Sequence, residues 1–375
     1  MKLAHFSLVS LTFLIACSSH EVSQGPNPFL NLSDLSFSQG EQMGPREFRL
    51  VFQGNVKGEL GTCGCAFNPT GGIDRKLNFL KSQKGTYLYL DSGNSLFGSL
   101  HPEKKDLAKS IQKAVEIAKA HLRLGVSLQN VGRYDLVAGI QNLKKIASES
   151  KLELISSNIV DEKDDFIFLP FKNYVLDNGL NVSVVGFTNP AHDDLSYDGF
   201  AIKTPVEKLK LLLNKIPQDH LLLVLSDLTT LENQQLASEI FRPHVIIGSS
   251  GFESYKIPLQ EHNGIQLQGL PLGQELGMLE LIWKSDAESW FNQGAKELYI
   301  ARWNDLVRER KYFSEFPDSE EKSKEIEKNE ADFKTLSKIL PKENENYIPF
   351  RARTFSMDAS LAQPNEFTKI VKKWN

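Results

Sequence analysis

The stretch from Phe48 to Gly98 constrains the fold of this chain more than any other. A β-branched and aromatic run (48–52) ends in a polar loop, and a segment with helical spacing of apolar residues (73–80) follows. A second apolar run (87–90) ends in another polar loop (91–94). Strand, loop, helix, strand and loop make a βαβ unit, which places both loops at one edge of a parallel sheet. Sites in open α/β sheets are built at that edge, so we expect one there.

Strands and helices continue to alternate beyond this unit, and antiparallel strands come late. Two amphipathic helices (103–122 and 139–148) are followed by a hairpin with an Asp-Asn-Gly turn (169–188). An apolar buried strand (220–225), a helix (231–241), a strand (244–247) and hairpin-like pieces (256–283) come after it. This order predicts an α/β (α+β sandwich) fold with mixed β-sheets flanked by helices. We place this domain at residues 46–284.

Residues 285–375 form a predicted helical C-terminal extension. Its composition shifts to Lys, Glu, Asp and aromatic residues, and its pattern indicates two helices broken near Phe316-Pro317-Asp318. A strand-like piece (347–355) and a last helix (365–373) follow. Such charged helices are usually a solvated hairpin, and the alternative is an arm that binds an envelope protein partner.

The charge balance excludes one class of partner. The 375 residues carry a formal net charge of −4 and are 41% hydrophobic and 24% charged, as in an ordinary globular protein. We therefore expect no nucleic-acid partner.

The N-terminus has the pattern of a signal peptide. Lys2 precedes an apolar run (6–16), which is too short for a permanent membrane span. The tetrad that ends at Cys17 resembles the lipobox of bacterial lipoproteins, which implies lipidation of Cys17 and membrane contact through that anchor. Ser18 resembles the outer-membrane sorting pattern, so we expect a periplasm-facing lipoprotein. A plain secretory signal is the alternative. Residues 1–17 would be the signal and 18–45 a flexible tether.

Two further cysteines, Cys63 and Cys65, lie two residues apart in the first loop. In an oxidising compartment they would form a loop-tightening disulfide, a redox-active or metal-binding pair, or two thiols. Among the histidines, only His192 lies in a compact cluster with two aspartates (Asp193 and Asp194), which suits either a solvated loop or a metal or substrate contact. His121 lies on a predicted helix, where we expect a surface or boundary position.

The succession of strand-end loops resembles the calcineurin-like metallophosphoesterases, in particular the catalytic domain of periplasmic 5'-nucleotidases. The resemblance covers about residues 46 to 284. It is nearest to a lipoprotein subgroup with a Cys-Gly-Cys element and Gly-Gly-x-x-Arg, here Cys63-Gly64-Cys65 and Gly71-Gly72-Ile73-Asp74-Arg75. The family holds two metals with Asp and His ligands at the strand ends, and these metals clamp the phosphate and activate a water.

This chain departs from that ligand pattern in every loop. Other residues stand where the family has ligands: Asn55 for Asp, Lys57 for His, Asn94 for the bridging Asp, Val131-Gly132 for Asn-His before Asp135, Asp227 for His, and Ser249 and Gly251 for two His. Among them, only Asp227 could coordinate a metal well. An ammonium has no lone pair to give a metal, and no bridging carboxylate remains. We therefore expect no metal or other cofactor. Mn, Zn or Fe would be expected only in an active enzyme.

The resemblance and the lost ligands leave three hypotheses. The preferred one is a lipid-anchored binding or scaffold protein with a degenerate phosphoesterase fold, in which Lys57, Arg75 and Arg133 bind an anion. Ordinary surface pairing of these cations with nearby carboxylates is the alternative. The second hypothesis is a metal-dependent phosphoester hydrolase, and the third is a redox partner that uses Cys63 and Cys65.

Overall fold

A computed structural model describes residues 27–31, 43–63, 68–190, 199–340 and 346–374. The chain divides into two compact units. One combines Met1–Leu32 with Tyr299–Leu336, and the other combines Ser33–Leu298 with Ser337–Asn375. Within the described ranges, no helix combines the length and the apolar composition that a bilayer span requires. Residues 1–17, including Cys17, lie outside the described part.

The larger unit contains a seven-stranded mixed sheet. Its strands, in chain order, are β1 (Glu47–Gln53), β2 (Leu88–Asp91), β3 (Leu128–Asn130), β4 (Leu154–Ile155), β13 (Glu275–Ile282), β14 (Ser289–Asn292) and β15 (Tyr347–Ser356). They are arranged 14-15-13-1-2-3-4. β1 to β4 run parallel, whereas β13 pairs antiparallel with both β1 and β15.

A six-stranded sheet faces it. This second sheet is ordered 11-12-10-9-7-6 and consists of β6 (Phe171–Val175), β7 (Asn181–Phe187), β9 (Leu221–Ser226), β10 (His244–Gly248), β11 (Leu259–Glu261) and β12 (Gly264–Leu267). A small pair, β5 (Ile159–Val160) and β8 (Ala201–Ile202), stands apart. β7, β9, β10 and β12 are parallel neighbours, so their carboxyl ends meet at one edge.

Helices cover the outer face of each sheet in this unit. They are α1 (Ile73–Ser82), α2 (Leu107–Leu124), α3 (Ile140–Ser150), α4 (Pro205–Leu213), α5 (Thr230–Ala237) and α8 (Thr368–Trp374). Alternate residues of β1 explain the layering. Phe48, Leu50 and Phe52 pack against the second sheet, whereas Val51 faces the cluster that α1 to α3 cover. α4 and α5 bury their apolar residues on the other face of the second sheet.

These layers confirm the predicted fold class. The boundary predicted at residue 284 does not separate the sheet from the C-terminal residues, because β14 and β15 belong to the first sheet. Buried Trp290, Phe291, Ile348 and Phe350 explain this, since their apolar side chains complete the core between the sheets or beside it. The C-terminal extension is therefore partly β-structure.

The smaller unit is the predicted helical hairpin, made by α6 (Lys296–Ser314) and α7 (Glu320–Ser337). Trp303 and Phe333 stack edge-on at 5.0 Å between ring centroids, and Arg302 pairs with Asp332 at 2.7 Å. Part of the predicted tether belongs here and is not an open linker. Pro28–Asn31 forms a 3₁₀ turn whose Phe29 is fully buried against Tyr299, because a large aromatic side chain gains by leaving water.

Candidate functional site

The predicted site lies where strands of both sheets end. Backbone hydrogen bonds tie its loops together: Asn55 N–H donates to the Gly93 carbonyl at 2.7 Å, and Lys57 N–H donates to the Asn94 carbonyl at 2.9 Å. The Ser92 hydroxyl reaches across to the carbonyl of Gly248, at the end of β10, at 3.0 Å. The loops after β1, β2 and β10 therefore form one framework.

Asn94 and Asp227 are in direct contact at its centre. The Asn94 side-chain amide donates to Oδ1 of Asp227, and the backbone N–H of Arg133 donates to Oδ2 at 2.8 Å. The Arg133 guanidinium Nε lies 3.6 Å from the same oxygen. Burial raises the pKa of Asp227 to about 6, although the nearby Arg133 guanidinium favours the ionised form and so opposes this rise. Each oxygen of the Asp227 carboxylate therefore already accepts one hydrogen bond from the loops.

Asp135 organises the same framework through backbone groups. Its carboxylate accepts four backbone N–H bonds of 2.8–3.0 Å from three successive residues of the β2 loop and from Gly132: Asn94, Ser95, Leu96 and Gly132. Burial raises the pKa of Asp135 to about 7, against these N–H donors, which favour the carboxylate. Asp135 is therefore a structural acceptor inside the loops.

The remaining predicted positions are also engaged by the protein. The Asn55 amide donates to the Gly251 carbonyl at 2.6 Å, and the Ser249 hydroxyl donates to the Ser92 carbonyl at 2.9 Å. Lys57 lies at the rim, where its Nζ is 4.6 Å from the Tyr134 ring centroid and 4.8 Å from that of Phe252. Two aromatic rings, not a carboxylate, therefore lie next to this ammonium, and they leave its positive charge in place.

The backbone shows how tightly these loops are closed. Asn55, Lys57 and Asn94 all adopt left-handed φ angles of 51° to 59°, which non-glycine residues rarely do. A Cβ added at Gly132 would overlap Oδ1 of Asn94. A histidine at position 132 would therefore displace Asn94, so these two departures from the family pattern depend on each other.

This donor set does not fit a two-metal centre. Within the ranges that the structure describes, no three His, Cys, Asp or Glu side chains come together as a possible metal group. Asn94 presents its N–H₂ to Asp227 and its Oδ1 to the Tyr134 N–H at 3.0 Å. Two dications require anionic bridging ligands, and a guanidinium lies beside the one carboxylate at the centre.

Arg75 does not join the other predicted anion-binding residues. Its guanidinium is buried and donates to the carbonyls of Pro69 at 2.5 Å and Met357 at 3.0 Å. Lys57 and Arg133 lie on the framework, but Arg75 fastens α1 to the end of β15. Gly71 and Gly72, which precede Arg75, have left-handed φ angles and turn the chain so that the Arg75 side chain points toward the end of β15.

We expect the substitution R75A to lower the free energy of unfolding by about 2 kcal/mol, because two buried carbonyls lose a charged donor. Urea unfolding measures this loss. R75A should leave anion binding at the framework unchanged, so a variant of normal stability that no longer binds anions would contradict this assignment.

The sequence analysis missed a buried polar network beneath the framework. Lys76 Nζ donates to Gln53 Oε1 at 2.7 Å, and Gln53 Nε2 donates to Asp91 at 2.8 Å. Tyr89 hydroxyl and His121 also contact Gln53, at 2.7 and 3.3 Å. The prediction for His121 was wrong: its side chain is fully buried. Burial lowers the pKa of His121 and lowers that of Lys76 to about 8.

One sequence signal pointed to this network. Lys76 follows Ile73 by three residues and precedes Leu80 by four, so it occupies the apolar face of α1. A lysine at such a position requires a buried partner. His121 carries the same kind of signal, because it follows Ile117 by four residues and precedes Leu124 by three and so lies on the buried face of α2.

The cysteine and histidine hypotheses remain predictions. Cys63 is buried, and its Sγ accepts the Thr70 N–H at 3.3 Å. Cys65 and His192 lie outside the described residues.

Comparison with known proteins identifies the fold. No family model matches the sequence, and no curated protein matches it. Three solved structures are similar. A 5'-nucleotidase precursor from Thermus thermophilus is 19% identical with a TM-score of 0.52, and the match covers 64% of this chain and 52% of that one. The sulfate thiohydrolase SoxB from Thermus thermophilus is 16% identical with a TM-score of 0.56 and coverages of 68% and 56%, and the NAD nucleotidase NadN from Haemophilus influenzae is 15% identical with a TM-score of 0.52 and coverages of 63% and 47%. The chain spans about half the length of these proteins. It has the fold that these three structures share.

Proposed function

We propose that this chain is a lipid-anchored cell-envelope protein. It would act as a binding or scaffold protein and would not perform two-metal catalysis. Cys17 would carry the anchor and place the protein on the outer membrane, facing the periplasm. The phosphoesterase fold would be retained as a framework for binding. An envelope protein partner would contact the C-terminal helices.

The contact between Asn94 and Asp227 carries this proposal. A working two-metal site needs carboxylates and imidazoles whose lone pairs are free for metal. Here each oxygen of the Asp227 carboxylate already accepts a hydrogen bond, Oδ1 from the Asn94 amide and Oδ2 from the Arg133 N–H. A metal bound to Asp227 would have to share these oxygens with both donors and would lie close to the Arg133 guanidinium, whose Nε is 3.6 Å from Oδ2. A neutral amide donor and a guanidinium thus surround Asp227 in this protein, where metals would surround the carboxylates of a two-metal site.

Lys57 is the proposed point of anion binding. Its ammonium lies at the rim between Tyr134 and the exposed Phe252, and it lies 3.4 Å from the Tyr134 hydroxyl. Among the described residues, the structure gives Lys57 no ion pair, whereas Arg133 is committed to Asp227. An anion would therefore bind mainly through Lys57 and the Tyr134 hydroxyl.

Hydrolysis of phosphoesters is the second candidate, because the similar structures include nucleotidases. A metal assay separates the two. We expect the chain from Ser18, which keeps every described residue, to hold substoichiometric Mn, Zn and Fe by mass spectrometry after growth and dialysis with each metal. The same protein should not hydrolyse nucleotides or phosphodiesters above the buffer rate.

The substitution D227N is the matched control. It keeps the shape of the side chain and removes its charge. If the wild type bound about two equivalents of metal, and both metal and hydrolysis were lost in D227N, the enzyme would be restored and the binding proposal would fail.

A further inference from the structure

An exposed cleft lies at the turn of the helical hairpin, where α6 ends and α7 begins. Its volume is about 410 Å³, enough for one or two side chains. Three aromatic residues form one side of the cleft, namely Tyr312, Phe313 and Phe316. All of the contacts described below lie inside this helical unit.

The aromatic side is unusually open. The rings of Tyr312 and Phe316 lie 4.7 Å apart, and that of Phe313 lies 5.7 Å from Tyr312. Tyr312 is 58% exposed and Phe316 is 45% exposed. Large aromatic side chains that remain in water as a cluster are typical of binding surfaces.

The opposite side of the cleft is acidic. Glu321 and Glu325 lie four residues apart on one face of α7, and within the described ranges the structure gives neither an ion pair. The one lysine that lines the cleft, Lys322, is already used. It pairs with Asp318 at 3.0 Å and donates to the Phe316 carbonyl at 2.7 Å. Two carboxylates thus face three rings with no basic group between them left to neutralise them.

We propose that this cleft binds an arginine side chain presented by a basic, apolar-flanked segment of a partner protein. A guanidinium stacks on aromatic faces and pairs with carboxylates through parallel N–H bonds, whereas an ammonium does neither as well. Tyr312 and Phe316 would stack on the guanidinium, and Glu321 and Glu325 would accept its hydrogen bonds. This inference rests on the proposed partner role of the C-terminal helices and gives that partner a chemistry.

Charge disfavours the two other occupants. Asp318 and Glu320 pair with Lys322 and Lys324, but within the described residues the structure gives Glu315, Glu321 and Glu325 no ion pair. These unpaired carboxylates at the turn would repel an anionic lipid surface. A second copy of the chain would bring the same acidic patch against itself in a two-fold contact. A basic partner meets neither objection.

Fluorescence anisotropy with a labelled amphipathic helical peptide of leucine, alanine and arginine tests the proposal. The probe is titrated with the chain from Ser18. We expect the arginine peptide to bind at least about tenfold more tightly than the same peptide with lysine. The substitution E325K should weaken binding by a similar factor, and so should the pair Y312S and F316S.

E327K is the matched control, because Glu327 is an exposed residue of the same helix that does not line the cleft. It changes the net charge by the same amount and should leave the affinity nearly unchanged. Equal losses in E325K and E327K would overturn the proposal, since they would indicate only non-specific charge attraction. The absence of peptide binding would also overturn the proposal. A third contrary result would be binding to phosphatidylethanolamine–phosphatidylglycerol vesicles that is lost when Y312S and F316S are combined. Such failures would leave the metal and hydrolysis results standing.

Discussion

Replacing Asp227 with alanine should lower the free energy of unfolding by about 3–5 kcal/mol, which is the loss typical of a buried ion pair that loses one partner. The substitution leaves the Arg133 guanidinium, whose side chain is only 16% exposed, without its counter-ion. It also leaves the Asn94 amide without its acceptor on Asp227. Equilibrium unfolding in urea measures the loss directly.

Glu149 provides the control for this prediction. It pairs with Lys145 on α3, and both side chains are exposed. Exposed pairs contribute little to stability, so E149A should leave the free energy of unfolding nearly unchanged. If D227A were as stable as E149A, the contact between Asn94 and Asp227 would not hold the loops together.

The buried Lys76 gives the second large effect, which appears as a dependence of stability on pH. Its pKa is lowered from 10.5 to about 8, chiefly by burial and against the nearby Asp91. Between these values the unfolded chain binds a proton that the folded chain does not, so stability rises with pH and levels off above the unfolded value. From about pH 7.5 to pH 10 this group should add about 2 kcal/mol to the free energy of unfolding.

The variant K76M isolates this contribution, because methionine has a similar length and no charge. Its unfolding free energy should lack the rise that the wild type shows over that range. K81M, which alters an exposed lysine of the same helix, should keep it. Parallel pH profiles for wild type and K76M would show that Lys76 titrates as it does in the unfolded chain.

Much of the fold was predictable because the spacing of apolar residues along the sequence indicates strands and helices. It predicted the parallel strands β1 and β2 and the helix between them, and the Asp-Asn-Gly turn predicted the hairpin of β6 and β7. The position of the site followed from the carboxyl ends of parallel strands. The break between α6 and α7 followed from Pro317, which cannot continue a helix.

Long-range partners could not be predicted in the same way. Asn94 and Asp227 lie 133 positions apart, and Arg75 bonds to a carbonyl 282 positions away. Pairing at such a separation depends on how two sheets stack, which no local pattern encodes. For the same reason, the strand β15 was predicted but its place in the first sheet was not, and the four-residue β14 was not predicted, because charged helices separate these two strands in the sequence.

Anomalous diffraction at the manganese absorption edge, from crystals grown with excess Mn²⁺, shows whether Asp227 binds a metal or the Asn94 amide. We expect no anomalous peak beside Asp227 and a direct contact between its Oδ1 and the Asn94 amide. One or two manganese peaks within coordination distance of the Asp227 carboxylate, with Asn94 turned away, would show instead that the chain keeps a metal centre.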